Sequence, residues 1–359
     1  MLSLDSITMH QLIEMGLNKD AADVMIKAGQ VPMMKKYNSV SPLDPELPVL
    51  DQATMRRLIQ SVMNQKQFDF FEDNMDQDVG FTLEGKCRVR CNCYMQRGTY
   101  ACVMRIVPLK IRTLQDLGLP DVLREITKHK LGLILVTGPT GSGKTTTLGA
   151  LIDIINQERE CHIVTVEDPL EIVHPDKKGY VSQREIHIDT KDFQPALRAV
   201  LREAPDVILI GEMRDQTTMN VALQAGETGH LVFSTVHTAS AYETMDRVIN
   251  MFPPHEREYM CKRMAGSLRA IVSQKLIPRA DGEGRVAALE ILICTPTASK
   301  KIEDGEFADL YQLMNEGEYW GMQTMNQSLL RYVKAGIITE QVAMVNAGIA
   351  SELKMMLRR

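Results

Sequence analysis

Gly138-Pro139-Thr140-Gly141-Ser142-Gly143-Lys144-Thr145-Thr146 is the stretch whose reading decides the fold. It fits G-x-x-x-x-G-K-[ST], the phosphate-binding P-loop pattern. An apolar run, Leu133-Ile134-Leu135-Val136, precedes it, and Leu148, Leu151, Ile152, Ile154 and Ile155 follow at helical spacing. The order is therefore strand, glycine loop, helix. The glycines let successive N–H groups turn inward onto phosphate oxygens. The helix start adds unpaired N–H groups and the positive end of a dipole. Lys144 would bring a full charge to the β- and γ-phosphates of ATP, and the Thr145 hydroxyl a hard oxygen ligand for Mg²⁺.

Working outward, 359 residues suggest two or three domains, and a 44% hydrophobic content supplies sizeable cores. With 41 basic and 46 acidic residues the net charge is −5, so nothing global calls for nucleic acid or an anionic membrane. The start, Met1-Leu2-Ser3-Leu4-Asp5, has no basic segment of the kind that opens a secretory signal, and no apolar run reaches the ~18 residues of a membrane span. A cytoplasmic protein is expected. The 7 cysteines include no C-x-x-C pair. Cys87, Cys91 and Cys93 alternate with Arg88, Arg90 and Asn92, the period of a half-buried strand, so buried thiols are expected rather than a metal site.

Residues 1–107 read as a small α+β domain. A helix is expected over Thr8 to Met15, a short strand over Ala22 to Ile26, and an amphipathic helix over Gln52 to Met63 with Met55, Leu58, Ile59 and Val62 on one face. Val31-Pro32 and Ser41 to Pro48 read as turns. Three strands are expected over Gly80 to Leu83, Cys87 to Tyr94 and Tyr100 to Val107. Pro108 to Pro120 reads as a linker. From Asp121 onward strands alternate with helices: strands over Leu133–Thr137, His162–Val166, Asp206–Ile210 and Leu231–Val236, with helices over Thr145–Gln157, Asp192–Glu203 and Gln216–Ala225. That alternation implies a parallel sheet covered by helices, with ligands at the carboxyl ends of its strands. Beyond about residue 252 the expectation is mostly helical: Pro254–Gln274, Thr297–Glu303, Phe307–Glu316, Met325–Ala335 and Thr339–Val345.

Acidic and basic candidates cluster after those strands. Asp206 to Ile210 with Gly211-Glu212 resembles a Walker B strand whose usual terminal Asp is replaced by Gly211. Glu212 is a candidate to hold Mg²⁺ through water or to orient the attacking water, against the alternative of a solvated Glu. In Glu167-Asp168-Pro169-Leu170-Glu171, Glu171 is the candidate general base, against the alternative of an acidic turn. His230 and His237 bracket the strand Leu231–Val236 and face opposite sides of it, so they do not form a metal pair. His237 suits a γ-phosphate sensor, and each histidine has a buried structural role as its alternative. Arg88, Arg90, Arg97 and Arg105 crowd the first domain. Some are candidates to reach a nucleotide as arginine fingers, and a solvated charged face is the alternative.

Taken together, these segments resemble the secretion ATPase superfamily and, within it, the PilT/PilU branch of type IV pilus motor ATPases. Its Walker A is matched by Gly138–Thr147, its acidic box by Thr165 to Glu171, its Walker B by Gly211 to Asp215, and its histidine box by Gly226 to Ala241. Flanking matches are Ser182-Gln183-Arg184-Glu185, Leu201 to Asp206, Asp246-Arg247 and Gly321-Met322-Gln323-Thr324. The resemblance implies a PAS-like domain over 1–107, a linker over 108–120 and a RecA-like P-loop ATPase domain over 121–359 with a helical C-terminal part. It implies a homo-hexamer that uses ATP and Mg²⁺ to drive pilus retraction and twitching motility. It gives Glu171 as catalytic glutamate, Glu212 as Walker B glutamate, and Arg90, Arg97 and Arg105 as phosphate-binding residues. The implied partners are an inner-membrane pilus platform protein and a second PilT-like ATPase, with peripheral membrane association and no nucleic acid. Where the retraction branch carries an Ala-Ile-Arg-Asn-Leu-Ile-Arg-Glu helix, Thr297 to Asp304 departs from it, and Ala204 and Ser351 to Lys354 lean towards a PilU-like accessory motor. Thr235-Val236-His237-Thr238 leans back to PilT. Pilus extension is disfavoured, because the tetracysteine site of the assembly motors has no match. A RecA-type nucleic-acid motor is the rival enzyme, against which the net charge weighs. A catalytically idle scaffold is the other rival, against which intact Lys144, Glu171 and Glu212 weigh.

Overall fold

Two sheets, each with its own core, make up the molecule. The computed structural model describes residues 3–36, 39–108 and 111–358. Residues 109 and 110 of the expected linker, with Met1 and Leu2 at the start, lie outside the described residues. The chain divides into Met1–Lys110 and Ile111–Arg359. Leu114 and Leu119, also in the expected linker, are buried in a core cluster of the second unit.

The first unit holds strands β1 (Asp23–Lys27), β2 (Met33–Lys36), β3 (Ser39–Pro42), β4 (Asp76–Leu83), β5 (Cys87–Gln96) and β6 (Thr99–Pro108). They form one antiparallel sheet in the order β3-β2-β1-β6-β5-β4. Helices α1 (Met9–Asn18), α2 (Gln52–Gln60) and α3 (Gln65–Asn74) join it. Capping boxes at Thr8 with Gln11 and at Asn64 with Gln67 fix where α1 and α3 begin. The alternation in β5 holds: Cys87, Val89, Cys91 and Cys93 are buried while Arg88, Arg90 and Asn92 are only half-buried. All seven thiols are free. Two strands and a helix went unexpected. β3 contains Pro42 and is an edge strand, where a missing N–H breaks no interior ladder, so the proline that signals a turn is also compatible with pairing. The helix expected to reach Met63 stops at Gln60, because Asn64 caps a new one.

In the second unit, α4 (Val122–Ile126) precedes β7 (Gly132–Thr137), α5 (Lys144–Glu158), β8 (His162–Glu167), β9 (Tyr180–Glu185), α6 (Phe193–Val200), β10 (Val207–Ile210), α7 (Gln216–Glu227), β11 (Leu231–Val236) and α8 (Ala241–Asn250). Then come α9 (Arg257–Ser267), β12 (Leu268–Pro278), β13 (Arg285–Ile293), α10 (Pro296–Glu303), α11 (Leu310–Glu316), α12 (Met325–Lys334), α13 (Glu340–Asn346) and α14 (Ala350–Leu357). The sheet order is β13-β12-β7-β11-β10-β8-β9, parallel throughout except for the β12–β13 pair. Every residue of β7, β10 and β11 is buried, as a sheet covered on both faces requires.

The expected helix Pro254–Gln274 is a correction. α9 ends at Ser267, and the chain enters β12 at Leu268. Leu268 to Ile277 is a nearly continuous buried run, which carries no period to separate strand from buried helix. Pairing with β7 decides it. The region past residue 252 is otherwise mostly helical as expected, with β12 and β13 as the exceptions. β9 was also unexpected, because its polar Ser182-Gln183-Arg184 lies at the sheet edge and shows no apolar signal.

Candidate nucleotide-binding site

The P-loop connects β7 to α5, and its curvature depends on glycine. Gly138 has φ 143° and Gly143 has φ 87°, both conformations that side chains rarely adopt. A Cβ on Gly138 would lie 2.3 Å from the Gln274 carbonyl oxygen, and one on Gly143 would lie 2.8 Å from Gln274 Nε2. Gln274, on β12, braces the loop. Its Nε2 donates to the Ser142 carbonyl at 2.8 Å, and its Oε1 accepts from Thr147 Oγ1 at 2.7 Å. Sequence reasoning missed this residue because its strand was read as the end of a helix.

Lys144 is buried and its Nζ donates to the carbonyls of Gly138 (2.8 Å) and Pro139 (3.1 Å). Burial pushes its pKa down, and the charges of Glu212 and Glu171 oppose that shift. Both carboxylates therefore act on the ammonium electrostatically. A cavity of about 590 Å³ is lined by residues 140–146 together with Glu167, Asp168, Glu171, Glu212, Arg214 and His237. The segments after β7, β8, β10 and β11 all reach it, as a parallel sheet dictates.

Glu212 sits on a pinned turn. The Thr235 hydroxyl donates to the Gly211 carbonyl at 2.7 Å, and the Met213 N–H donates to the Thr235 carbonyl at 3.0 Å. The Glu212 carboxylate meets Arg214 Nη2 at 2.7 Å and His237 Nε2 at 3.3 Å. Burial would raise its pKa, but Arg214 and His237 outweigh that and hold it below the usual value. Gly211 replaces the expected Asp at the place where a Cβ would come within 3.3 Å of the Glu167 Cα. Arg247 Nη1 donates to the His237 carbonyl at 2.9 Å and steadies that residue.

Glu167 is the buried carboxyl of the acidic box. It accepts from the Thr165 hydroxyl at 2.7 Å, and burial pushes its pKa up to about 7. His174 also lines the cavity. Burial pushes its pKa down to about 4, and its Nδ1 has no hydrogen-bond partner. Neither residue stood out in the sequence, because burial of a titratable group is a tertiary property.

Not every candidate converges. His230 lies at the opposite end of β11 from His237, where its Nδ1 sits 3.0 Å from the Ala225 carbonyl. It does not line the cavity. Arg90, Arg97 and Arg105 belong to the first unit. Arg97 occupies the β5–β6 turn with φ 49°, and Arg105 Nε donates to Asp23 Oδ1 at 3.0 Å. Arg90 stands directly opposite Arg105 in the ladder, and Arg105 opposite Asp23.

The P-loop suits a nucleotide's phosphates: inward-turning glycines, a buried lysine, and the Ser142 hydroxyl, which is buried without a partner. The Thr145 hydroxyl and the ionised Glu212 are hard oxygen donors of the kind Mg²⁺ takes. The family model described as Type II/IV secretion system protein matches residues 5–340. The chain belongs to that family. Relatives matched over nearly the whole chain include PilT and PilU. It is 42% identical to the type IV pilus retraction ATPase PilT of Pseudomonas aeruginosa over 94% of this chain and 98% of that protein. To the type IV pilus ATPase PilU of the same organism it is 36% identical, over 97% of this chain and 91% of that protein. A crystal structure of the pilus retraction motor PilT with bound ADP matches at TM-score 0.90 and 40% identity, covering 98% of this chain and 100% of that one. The Legionella pneumophila ATPase DotB matches at TM-score 0.79 and 26% identity, covering 94% of each chain. The second unit is accordingly a RecA-like ATPase domain.

Proposed function

We propose that this chain is a motor ATPase that couples ATP hydrolysis to type IV pilus retraction and twitching motility. One observation carries the reading: Lys144, Glu171 and Glu212 line a single cavity in a chain 42% identical, over nearly its whole length, to a retraction ATPase. The P-loop N–H groups and Lys144 hold the β- and γ-phosphates. A water oxygen attacks the γ-phosphorus, Glu171 takes the water's proton, and the bond to the β–γ bridging oxygen breaks to leave ADP and phosphate. Thr145 and Glu212 would hold Mg²⁺, which would supply charge neutralisation on the phosphates. His237 bonds Glu212 and senses the γ-phosphate through that contact. Arg90, Arg97 and Arg105 are proposed to add positive charge to the phosphates. A homo-hexamer acting on an inner-membrane platform protein from the cytoplasmic side fits this role. No helix among the described residues is long and apolar enough to cross a membrane.

Glu171→Gln should retain MgATP binding while hydrolysis falls by ~10²–10⁴, the usual loss of a general base. Glu212→Gln should weaken the Mg²⁺ dependence first. Equal, mild losses in both variants would place the base elsewhere. At the level of the cell, deleting the gene should leave pili that do not retract.

A second reading, an accessory motor beside a PilT-like partner ATPase, is favoured by α10. There Lys300 and Lys301 depart from the retraction-branch pattern, and both engage acids of the same unit: Lys300 meets Asp304 at 2.9 Å and Lys301 meets Asp309 at 2.6 Å. A strain keeping this gene as its sole retraction ATPase decides between the readings. Normal retraction there would rule the accessory role out.

A further inference from the structure

Residues 168–179, between β8 and β9, contain no helix or strand, yet they carry Glu171. A general base on an irregular segment needs something else to fix it, because a misplacement of ~1 Å costs on the order of 10²-fold in rate. Two side chains fasten this segment, one at its middle and one towards its C-terminal end. Gln183, on β9, forks onto it: its Nε2 donates to the Ile172 carbonyl at 2.8 Å and its Oε1 accepts from the His174 N–H at 2.7 Å. The amide thus makes the two bonds that a neighbouring strand would make, beginning one residue after Glu171. It also faces the buried Glu167 carboxyl, whose pKa it and the Glu171 N–H both pull down against the effect of burial.

At the far end, Asn156 of α5 is fully buried. Its Nδ2 donates to the Pro175 carbonyl at 2.8 Å, and its Oδ1 accepts from the Lys177 N–H at 3.2 Å. Its own carbonyl accepts from the N–H groups of Lys178 and Gly179, both at 2.9 Å. Asp153, one turn earlier on the same helix, meets Lys177 Nζ at 2.6 Å. α5 is the helix that opens with Lys144. Asn156 therefore ties the segment to the element that carries the phosphate loop, and Gln183 ties it to the sheet edge.

We propose that Gln183 and Asn156 are positioning residues that hold Glu171 in register with the phosphate loop. The proposal rests on Glu171 being the base. In the opposite case, where Glu171 were merely a surface acid, such bracing of an exposed residue's neighbours would have no bearing on turnover.

The test uses the full-length protein and four variants: Gln183→Met, which keeps volume and removes the fork, Asn156→Asp, which keeps the acceptor and loses the donor, Glu171→Gln, and the Gln183→Met/Glu171→Gln double variant. Steady-state kcat, MgATP affinity from a non-hydrolysing titration, and the thermal midpoint are measured for each. Gln183→Met should lower kcat by ~10-fold or more with MgATP affinity within ~2-fold of the parent, since binding is the phosphate loop's task. In the Glu171→Gln background it should lower kcat no further, because residues acting through one group are non-additive. Parent-like kcat in Gln183→Met alongside an inactive Glu171→Gln overturns the positioning role and leaves the base in place. Parent-like kcat in Glu171→Gln overturns the base, and the positioning role falls with it. A parallel loss of affinity and kcat in Gln183→Met means general disruption and also overturns the proposal. Should Gln183→Met not fold, Asn156→Asp carries the same readouts from the other end, with the same outcomes deciding.

Discussion

The two sheets of this molecule put their connections to different use. In the seven-stranded sheet the parallel strands run one way, so the segments after β7, β8, β10 and β11 all leave from one edge. Residues far apart in the chain, from Lys144 to His237, therefore line one cavity. In the antiparallel six-stranded sheet, successive connections leave from opposite ends. Its arginines are accordingly strung out: Arg97 in a turn, and Arg90 and Arg105 in a row across β5 and β6 that continues to Asp23. The first arrangement gathers unlike groups around a void. The second lays charge along a face. Parallel connectivity builds the cavity, and antiparallel connectivity does not.

Three experiments bear on that contrast. Removing the phosphate-loop cation is the most severe. Lys144→Ala should abolish ATP hydrolysis while far-ultraviolet circular dichroism stays unchanged, because the loop backbone braced by Gln274 remains. Parent turnover in the folded variant would break the contrast at its root.

The second concerns the buried acid of the parallel sheet. Glu167 is pushed from 4.5 to about 7 by burial. Between those values the unfolded chain has released a proton that the folded chain keeps, so stability falls as pH rises through the window, by about 3 kcal/mol. Glu167→Gln should flatten that slope in denaturant titrations from pH 4.5 to 8 and gain on the parent at the upper end. His174, pushed from 6.5 to about 4, acts with the opposite sign: stability falls as pH drops from 6.5 towards 4, and this acid limb should survive in Glu167→Gln. A variant as pH-sensitive as the parent above pH 4.5 would mean that Glu167 is ionised throughout.

The mildest effect is expected in the other sheet. Alanine at Arg90, Arg97 or Arg105 should each slow hydrolysis ~10-fold with Mg²⁺ dependence unchanged, short of the ~10³–10⁵ of a lone arginine finger because three share the role. Unchanged rates in all three would sharpen the contrast, confining the chemistry to the parallel sheet.

How much of this was legible depended on what kind of pattern each region carries. The phosphate loop, β7, β8, β10 and β11 could be read because a buried parallel strand beside a glycine loop leaves a short apolar run with clear ends. The thiol row of β5 could be read because one buried face gives a period of two. β12 could not: its nearly continuous buried run carries no period to separate a strand from a buried helix. β9 and β3 could not for the opposite reason, since edge strands tolerate polar residues and proline.

By itself the sequence determined the nucleotide chemistry, the parallel sheet that presents it and the family, because those rest on residues close together in the chain or on segments matched one by one. Only the tertiary structure decided that His230 stands away from the site, that Gln274 braces the phosphate loop and that Gln183 and Asn156 fasten the Glu171 segment. Each of those is a contact between residues distant along the chain. Such contacts leave no local period, and the hydrogen bonds and burial that define them exist only once the strands have been ordered side by side.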